Sequence, residues 1–215
     1  MSPITKAHSF AFAIATTCVY TIWRKLTAIQ TDWWIINVLI TLILSISFYQ
    51  VVFRLFLLLC QKVRPLRKYI LGKFYFEGLW IGYYTVNGEI EYYHEVVKQD
   101  LENISIIGVS YDKDHNYIGT WTIINPNYNI EDSRLTYYYE MDVAISGDIT
   151  LGYSRGTIFW DKHNFAYKET EFAIDNFSPY KQHYIALKMN NKGNPNDWIA
   201  QNFWREVKKL CKSEV

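Results

Sequence analysis

Between Trp33 and Phe53 the chain runs without a single charged side chain, and past Arg54 the apolar character continues through Leu59. At ~1.5 Å per helical residue such a run easily crosses a ~30 Å hydrocarbon core. A core helix of a water-soluble protein is seldom apolar on every side, because one face must meet solvent. Trp33 and Trp34 at one end and Tyr49 toward the other suit the interface, and Arg54 can extend its guanidinium toward headgroups.

An earlier segment, Phe10 to Trp23, is also apolar or small, bounded by Lys6 and His8 before it and by Arg24 and Lys25 after it. Its length is that of a signal peptide, but no small-residue cleavage site precedes Arg24 and a longer apolar run follows at once. The expectation is a retained anchor, a hairpin of two transmembrane helices over about 9–23 and 33–59 within residues 1–61. The basic residues Lys62, Arg64, Arg67, Lys68 and Lys73 outweigh Arg24, Lys25 and Asp32 of the hairpin loop. Positive charge collects on the cytoplasmic side, so both termini are expected there, in a multi-pass membrane protein. Residues 62–72 read as a juxtamembrane linker, broken from the helix by Pro65 and able to touch anionic lipid.

Charge is divided unevenly. Residues 1–73 hold nine Lys/Arg and one acid, and the remainder holds thirteen Lys/Arg and twenty acids, or about +8 against −7. A negative distal portion argues against nonspecific DNA or RNA binding, which draws on clustered Lys/Arg. Cys18, Cys60 and Cys211 form no disulfide framework and no CxxC metal pair, so a reducing compartment is the simpler reading.

Beyond Gly72 the periodicity changes to two. Short aromatic and β-branched runs alternate with turn residues, which predicts strands near 73–86, 90–98, 103–111, 117–124, 134–144, 149–160, 165–174 and 181–189. Turn signals stand at Asn87-Gly88, Asp112 to Asn116, Asn125-Pro126-Asn127 and Ser146-Gly147-Asp148. With no helical crossovers between them, sequential strands pair antiparallel. The expected fold is membrane-anchored all-β: the hairpin, then an eight-stranded antiparallel up-and-down β-barrel over 73–190, then a C-terminal segment 191–215 with an amphipathic helix. In that helix Asn196 would cap, and Trp198, Ile199, Phe203 and Val207 recur at helical spacing.

Several strands are apolar on both faces. Phe74, Phe76, Trp80 and Tyr84 share one side of the first strand, with Leu79, Ile81 and Tyr83 on the other; Tyr137 and Tyr139 oppose Tyr138 in the fifth. Two arrangements fit this pattern, a packed interior with an outer surface that rests on a neighbour, the terminal helix or the bilayer, and a lumen lined for a ligand; Trp and Tyr suit the second because each joins a stacking face to a polar handle.

The chemical motifs give no catalyst. Gly152-Tyr153-Ser154-Arg155-Gly156 has the letters of a nucleophile elbow, but Thr157 to Trp160 continue as strand where that motif needs a helix, so the glycines serve a bulge or barrel bend. The five histidines have no zinc-ligand spacing and read as surface or turn residues. Glu89/Glu91 and Glu169/Glu171 read as solvated stripes rather than paired catalytic carboxylates. The expectation is therefore a non-enzyme with no metal and no bound cofactor. Arg155 lies within a predicted strand between Tyr153 and Thr157 and has two readings: a guanidinium that grips a phosphate bidentately, or an outward charge paired with a neighbouring carboxylate. Arg134 has the same alternatives. From their chemistry alone, the candidate ligand-binding residues are Arg155, Tyr153, Trp80, Tyr84, Trp121, Tyr137 and Arg134.

The order of parts, with the opening strand Phe76-Glu77-Gly78-Leu79-Trp80-Ile81-Gly82-Tyr83-Tyr84, resembles the membrane-tethered β-barrel effectors of bacterial CBASS anti-phage systems over nearly the whole chain. Its Gly-x-Trp also resembles that of lipocalins. The CBASS resemblance implies a cytoplasmic barrel that binds a cyclic dinucleotide made by a partner nucleotidyltransferase. Binding then leads to homo-oligomerisation, disruption of the inner membrane and death of the infected cell. It assigns no individual binding residue. Two other classes compete: a membrane-anchored lipocalin-like barrel for an apolar small molecule, which needs an apolar lumen without an inward arginine, and a structural membrane subunit whose filled barrel docks a partner.

Overall fold

The computed structural model describes residues 3–26, 34–86, 88–101, 103–129, 133–144, 146–160, 166–175, 184–189 and 193–213. The chain divides into two compact units, residues 1–75 and 76–215.

The first unit is helical: α1 (Pro3–Leu26), α2 (Trp34–Lys62) and α3 (Arg64–Leu71). On α1 the small residues Ala7, Ala11 and Ala15 recur every fourth position and are buried, which lets helices approach closely. The His8 ring stacks on Phe53 at 4.2 Å and meets the Tyr49 hydroxyl at 2.6 Å, while Phe10 lies 6.3 Å from Phe56 and 6.1 Å from Tyr69. The outward residues are largely apolar too, among them Phe12, Ile14, Ile43, Ile46, Val51, Leu55, Leu58 and Leu59.

Among the described residues no single helix is long and apolar enough to cross a membrane, but Ser45–Lys62 and Arg64–Leu71 pass that test together, bent by 107°. The break falls at Val63, which is extended, and Pro65 occupies the first turn of α3, where its missing N–H costs nothing. The segment 62–72, expected as a linker, is thus mostly helix. Ile70 and Leu71 are buried, which rewards folding it, and α3 ends at Gly72, whose φ of 57° suits glycine.

The second unit is an antiparallel sheet of consecutive neighbours: β1 (Gly78–Val86), β2 (Glu89–Gln99), β3 (Ile104–Tyr111), β4 (Tyr117–Asn129), β5 (Arg134–Val143), β6 (Ile149–Trp160), β7 (Ala166–Asp175) and β8 (Tyr184–Lys188). The sheet curls until β1 also pairs with β8, and it closes as a barrel. Closure is the thinnest part, because β8 is only five residues long.

Alternation sorts the faces. Phe76, Trp80, Tyr84, Tyr93, Val97, Ile106, Leu135, Tyr137, Tyr139 and Ile158 point inward and are buried. Curvature needs room, and two glycines supply it: Gly108 faces Trp121 and Gly152 faces Tyr139 across the ladder. A Cβ at either position would come within 2.1 Å or 2.2 Å of the ring, so the aromatic side chain covers the neighbouring backbone.

Two boundaries differ from the sequence reading. Residues 72–74 form a 3-10 turn, so β1 starts at Gly78 and not at 73. Asn125-Pro126-Asn127 is a bulge inside β4: the register slips between Ile124 and Asn127, and Asn125 takes a φ of 49°. Turn-type residues are used here to bend a strand that continues to Asn129. The turns at 112–116 and 146–148 are present; the Asp112 carboxylate accepts from the backbone N–H groups of Asp114 and Asn116.

The last element, α4 (Pro195–Ser213), packs on the outer face of β1 and β2. Phe203 and Val207 are buried against Ile81, with Tyr92, Tyr111, Trp198, Ile199 and Trp204 around them. Its entry is held by Asn194, whose side-chain oxygen accepts from the Asn196 backbone N–H at 3.1 Å, so the cap sits two residues before the expected Asn196.

Candidate functional site

The two ends of the barrel interior differ. At the lower end, where β1 begins, Phe76 donates its backbone N–H to Gln99 Oε1 at 3.0 Å and accepts the Trp80 indole N–H at 2.9 Å. Its ring meets Tyr128 edge-on at 5.2 Å, so this end is plugged. Trp80 itself is 1 % exposed.

The upper end lies below the turns at Gly88, 112–116 and 146–148. A chain of rings runs through it: Tyr184 is 4.5 Å from Tyr84, Tyr84 is 5.8 Å from Tyr93, Tyr93 is 6.5 Å from Trp121, and Trp121 is 6.2 Å from Tyr139. Trp121, Met141 and Tyr184 are only half-buried, as is Glu91. The Tyr84 hydroxyl donates to the Glu91 carboxylate and accepts from Ser110. Burial, reinforced by the negative charge of Glu91, pushes the Tyr84 phenol well above its usual pKa, so it stays a donor.

Four of the seven candidate residues, Trp80, Tyr84, Trp121 and Tyr137, belong to this inward set. Arg155, Tyr153 and Arg134 do not. On β6 the inward positions are Thr150, Ser154 and Ile158, all buried, which turns Tyr153 and Arg155 outward. On β5 the inward Leu135, Tyr137 and Tyr139 turn Arg134 outward with Tyr138. The phosphate-gripping arginine inside the barrel is therefore corrected: Arg155 and Arg134 lie on the outer wall, where Arg155 pairs across the ladder with Thr136.

A second correction concerns the acids. Glu91 is not part of a solvated stripe; it shares the inward row of β2 with Tyr93, Glu95 and Val97. Glu95 is fully buried, opposite Trp80 on one side and Gly108 on the other. Glu89, at the rim, bonds to Lys113. The side chains of Glu169 and Glu171 lie outside the described residues. The inward parity already carried Tyr93 and Val97, and that was the signal in the sequence that Glu91 and Glu95 belong inside.

The histidine reading also changes. His94 is buried beneath α4, 5.3 Å from the Phe203 ring and 5.8 Å from Tyr111, with no hydrogen-bond partner for its Nδ1 among the described residues. Burial lowers its pKa to about 4. His115 stacks on Trp204 at 3.8 Å; His163 and His183 lie outside the described residues.

Ser154 sits in mid-strand, buried, with β6 continuing beyond it, so the strand–turn–helix setting of a nucleophile elbow is not formed there. Among the described residues no group of three His, Cys, Asp or Glu is gathered for a metal ion. What the upper interior gathers is aromatic rings beside a carboxylate and two hydroxyls. Comparison of the chain with family models, curated proteins and solved structures finds no match in any of the three.

Proposed function

We propose that this chain is a membrane-anchored receptor whose β-barrel recognises a cyclic dinucleotide, and whose helical unit responds by oligomerising in the inner membrane and disrupting it. The observation that carries the ligand reading is the upper barrel interior, where Trp121, Tyr139 and Tyr184 stand beside the Tyr84–Glu91–Ser110 hydrogen-bonding group. Each base stacked on an aromatic face contributes roughly 1–3 kcal/mol. A carboxylate accepts hydrogen bonds from the N–H groups of a base edge. The inward Glu91 carboxylate repels phosphate, so the ligand enters base-first and keeps its phosphodiesters at the mouth, near Lys113.

The anchor reading is supported by the outward apolar residues of α1 and α2, by small-residue contacts of the type helices use in lipid, and by the charge-free run from Trp33 to Phe53. Ligand binding biases assembly only through a difference in affinity between the free and assembled states.

A second reading draws on the same acid: an aromatic cage with a carboxylate also suits a cationic amine. Isothermal titration of the full chain in detergent micelles distinguishes the two. The expected result is saturable heat with at least one member of a cyclic dinucleotide panel and none with choline or methylated lysine. Heat with the cations alone replaces the proposal with the second reading, and no heat with any dinucleotide rejects it.

A further inference from the structure

At Val63 the chain leaving α2 turns by 107° into α3. The bend is braced on both sides. Arg64 donates from Nε to the Tyr75 hydroxyl at 2.7 Å, and Arg67 donates from Nη1 to the Gln61 carbonyl at 2.7 Å, so the two arginines tie α3 to the chain after it and before it. Ile70 and Leu71 are buried on the inner face of α3, with Leu66 and Arg67 half-buried beside them.

The outer face of α3 has two edges. At ~100° per residue, Arg64 and Lys68 share one edge, and Pro65 and Tyr69 share the other. Tyr69 is 68 % exposed, and its ring meets Phe10 edge-on at 6.1 Å. Phe10 is itself exposed on α1, one turn from the exposed Ile14, so Tyr69 adjoins the outward apolar row of that helix. Lys62 and Lys68 are exposed as well. Lys6 of α1 reaches the same end, its Nζ 3.7 Å from where a Cβ on Gly72 would stand. The start of α1 packs on the last third of α2, through His8 on Phe53 and Phe10 on Phe56, so the two helices run antiparallel. The sequence places one acid within residues 1–75, Asp32, in the connection between Leu26 and Trp34 and so beyond the helix ends remote from α3; the next acid, Glu77, belongs to the second unit.

We infer, building on the membrane-anchor reading, that α3 lies along the bilayer surface and that its outer face, with Lys6 and Lys62, takes the phosphate headgroups of anionic phospholipid. Two observations select this occupant. The first is charge complementarity: basic side chains collect at one end of the helical unit with no acid of that unit among them. The second is order along the surface, where the outward apolar row of α1 gives way to Tyr69 and then to lysine, the sequence of environments a bilayer presents from acyl chain through interface to headgroup. A free phosphate would draw on the lysines alone and make no use of a tyrosine set against Phe10. The division of labour follows from the side chains. The arginines, with planar and fixed donors, hold the bend, while each lysine is a point charge on a flexible stem that can follow a fluid headgroup.

The test uses the full chain reconstituted into mixed vesicles and washed in alkaline carbonate, with spin-labelled phosphatidylglycerol and phosphatidylcholine reporting how strongly each lipid associates with the protein. The expected result is a preference for phosphatidylglycerol of about threefold or more at low ionic strength, falling toward unity in ~0.5 M sodium chloride. Lys62→Gln with Lys68→Gln removes most of the preference, and Lys25→Gln, at the far end of α1, leaves most of it. Lys68→Gln alone, at an exposed position, lowers it measurably and keeps the test decisive if the double variant does not fold. A preference of unity in wild-type protein that resists the wash overturns the inference and leaves the anchor reading standing. Protein stripped from the vesicles by the wash overturns both. A preference lost in dilute sodium phosphate yet kept in sodium chloride of equal ionic strength overturns it in favour of a free phosphate as occupant.

Discussion

Replacing Trp80 with alanine is expected to destabilise the barrel by about 3–5 kcal/mol, the range for emptying a large buried aromatic site. Among the described residues Trp80 is the largest fully buried side chain, and its indole N–H ties the barrel floor to the Phe76 carbonyl. Its removal also leaves Glu95 beside a void, since the two are direct partners across β1 and β2. A carboxylate sealed in such a site loses packing without gaining solvent. Denaturant unfolding of the full chain in micelles, followed by far-UV circular dichroism of the β signal, measures the effect. A loss below about 1 kcal/mol would mean that the interior is not packed around this ring.

The second large effect is acid sensitivity of the α4 contact. His94 titrates near 4 where it is buried and near 6.5 when exposed, so the unfolded form binds the extra proton between those values. Its neutral burial costs nothing in charge above about pH 6.5; as pH falls toward 4 a penalty of up to about 3 kcal/mol accumulates, then levels off. Among the described residues the rings packed against it are those of Tyr111 and Phe203, neither of which offers a negative charge to hold an imidazolium. Hydrogen exchange of the α4 amides, corrected for intrinsic rates, is expected to show protection falling over this window. In His94→Phe the fall is largely gone. Equal pH dependence in both proteins would assign the effect to other groups.

What the sequence disclosed follows from which signals have one interpretation. A change to period two has one, and so the antiparallel sheet was legible; the long charge-free run announced a helix, but among the described residues no single helix is long and apolar enough to cross a membrane. The spacing of Ile199, Phe203 and Val207 likewise announced α4. The site was harder, because polarity distinguishes the faces of a strand only when one face meets water. On β2 the outward Tyr92 and His94 are covered by α4, while the inward face holds Glu91 and Glu95 beside Tyr93 and Val97. Both rows are mixed, so the acids looked like the solvated side.

Arg155 was ambiguous for a related reason. Its outward row on β6 includes Ile149, Leu151, Tyr153 and Phe159, a set apolar enough to resemble a core face, and only the burial of Thr150, Ser154 and Ile158 settles the parity. The Asn-Pro-Asn sequence of β4 misled by its chemistry: residues that permit a turn also permit a bulge, and the choice depends on whether the partner strand continues.

The most direct test of the account compares two substitutions in one titration with a cyclic dinucleotide that binds the wild-type chain. If recognition takes place in the upper barrel interior, Glu91→Gln weakens binding about tenfold or more through loss of a charge-assisted acceptor, and Arg155→Ala leaves affinity within about twofold. The reverse outcome, with Arg155→Ala abolishing binding and Glu91→Gln without effect, would place the ligand on the outer wall and contradict the account.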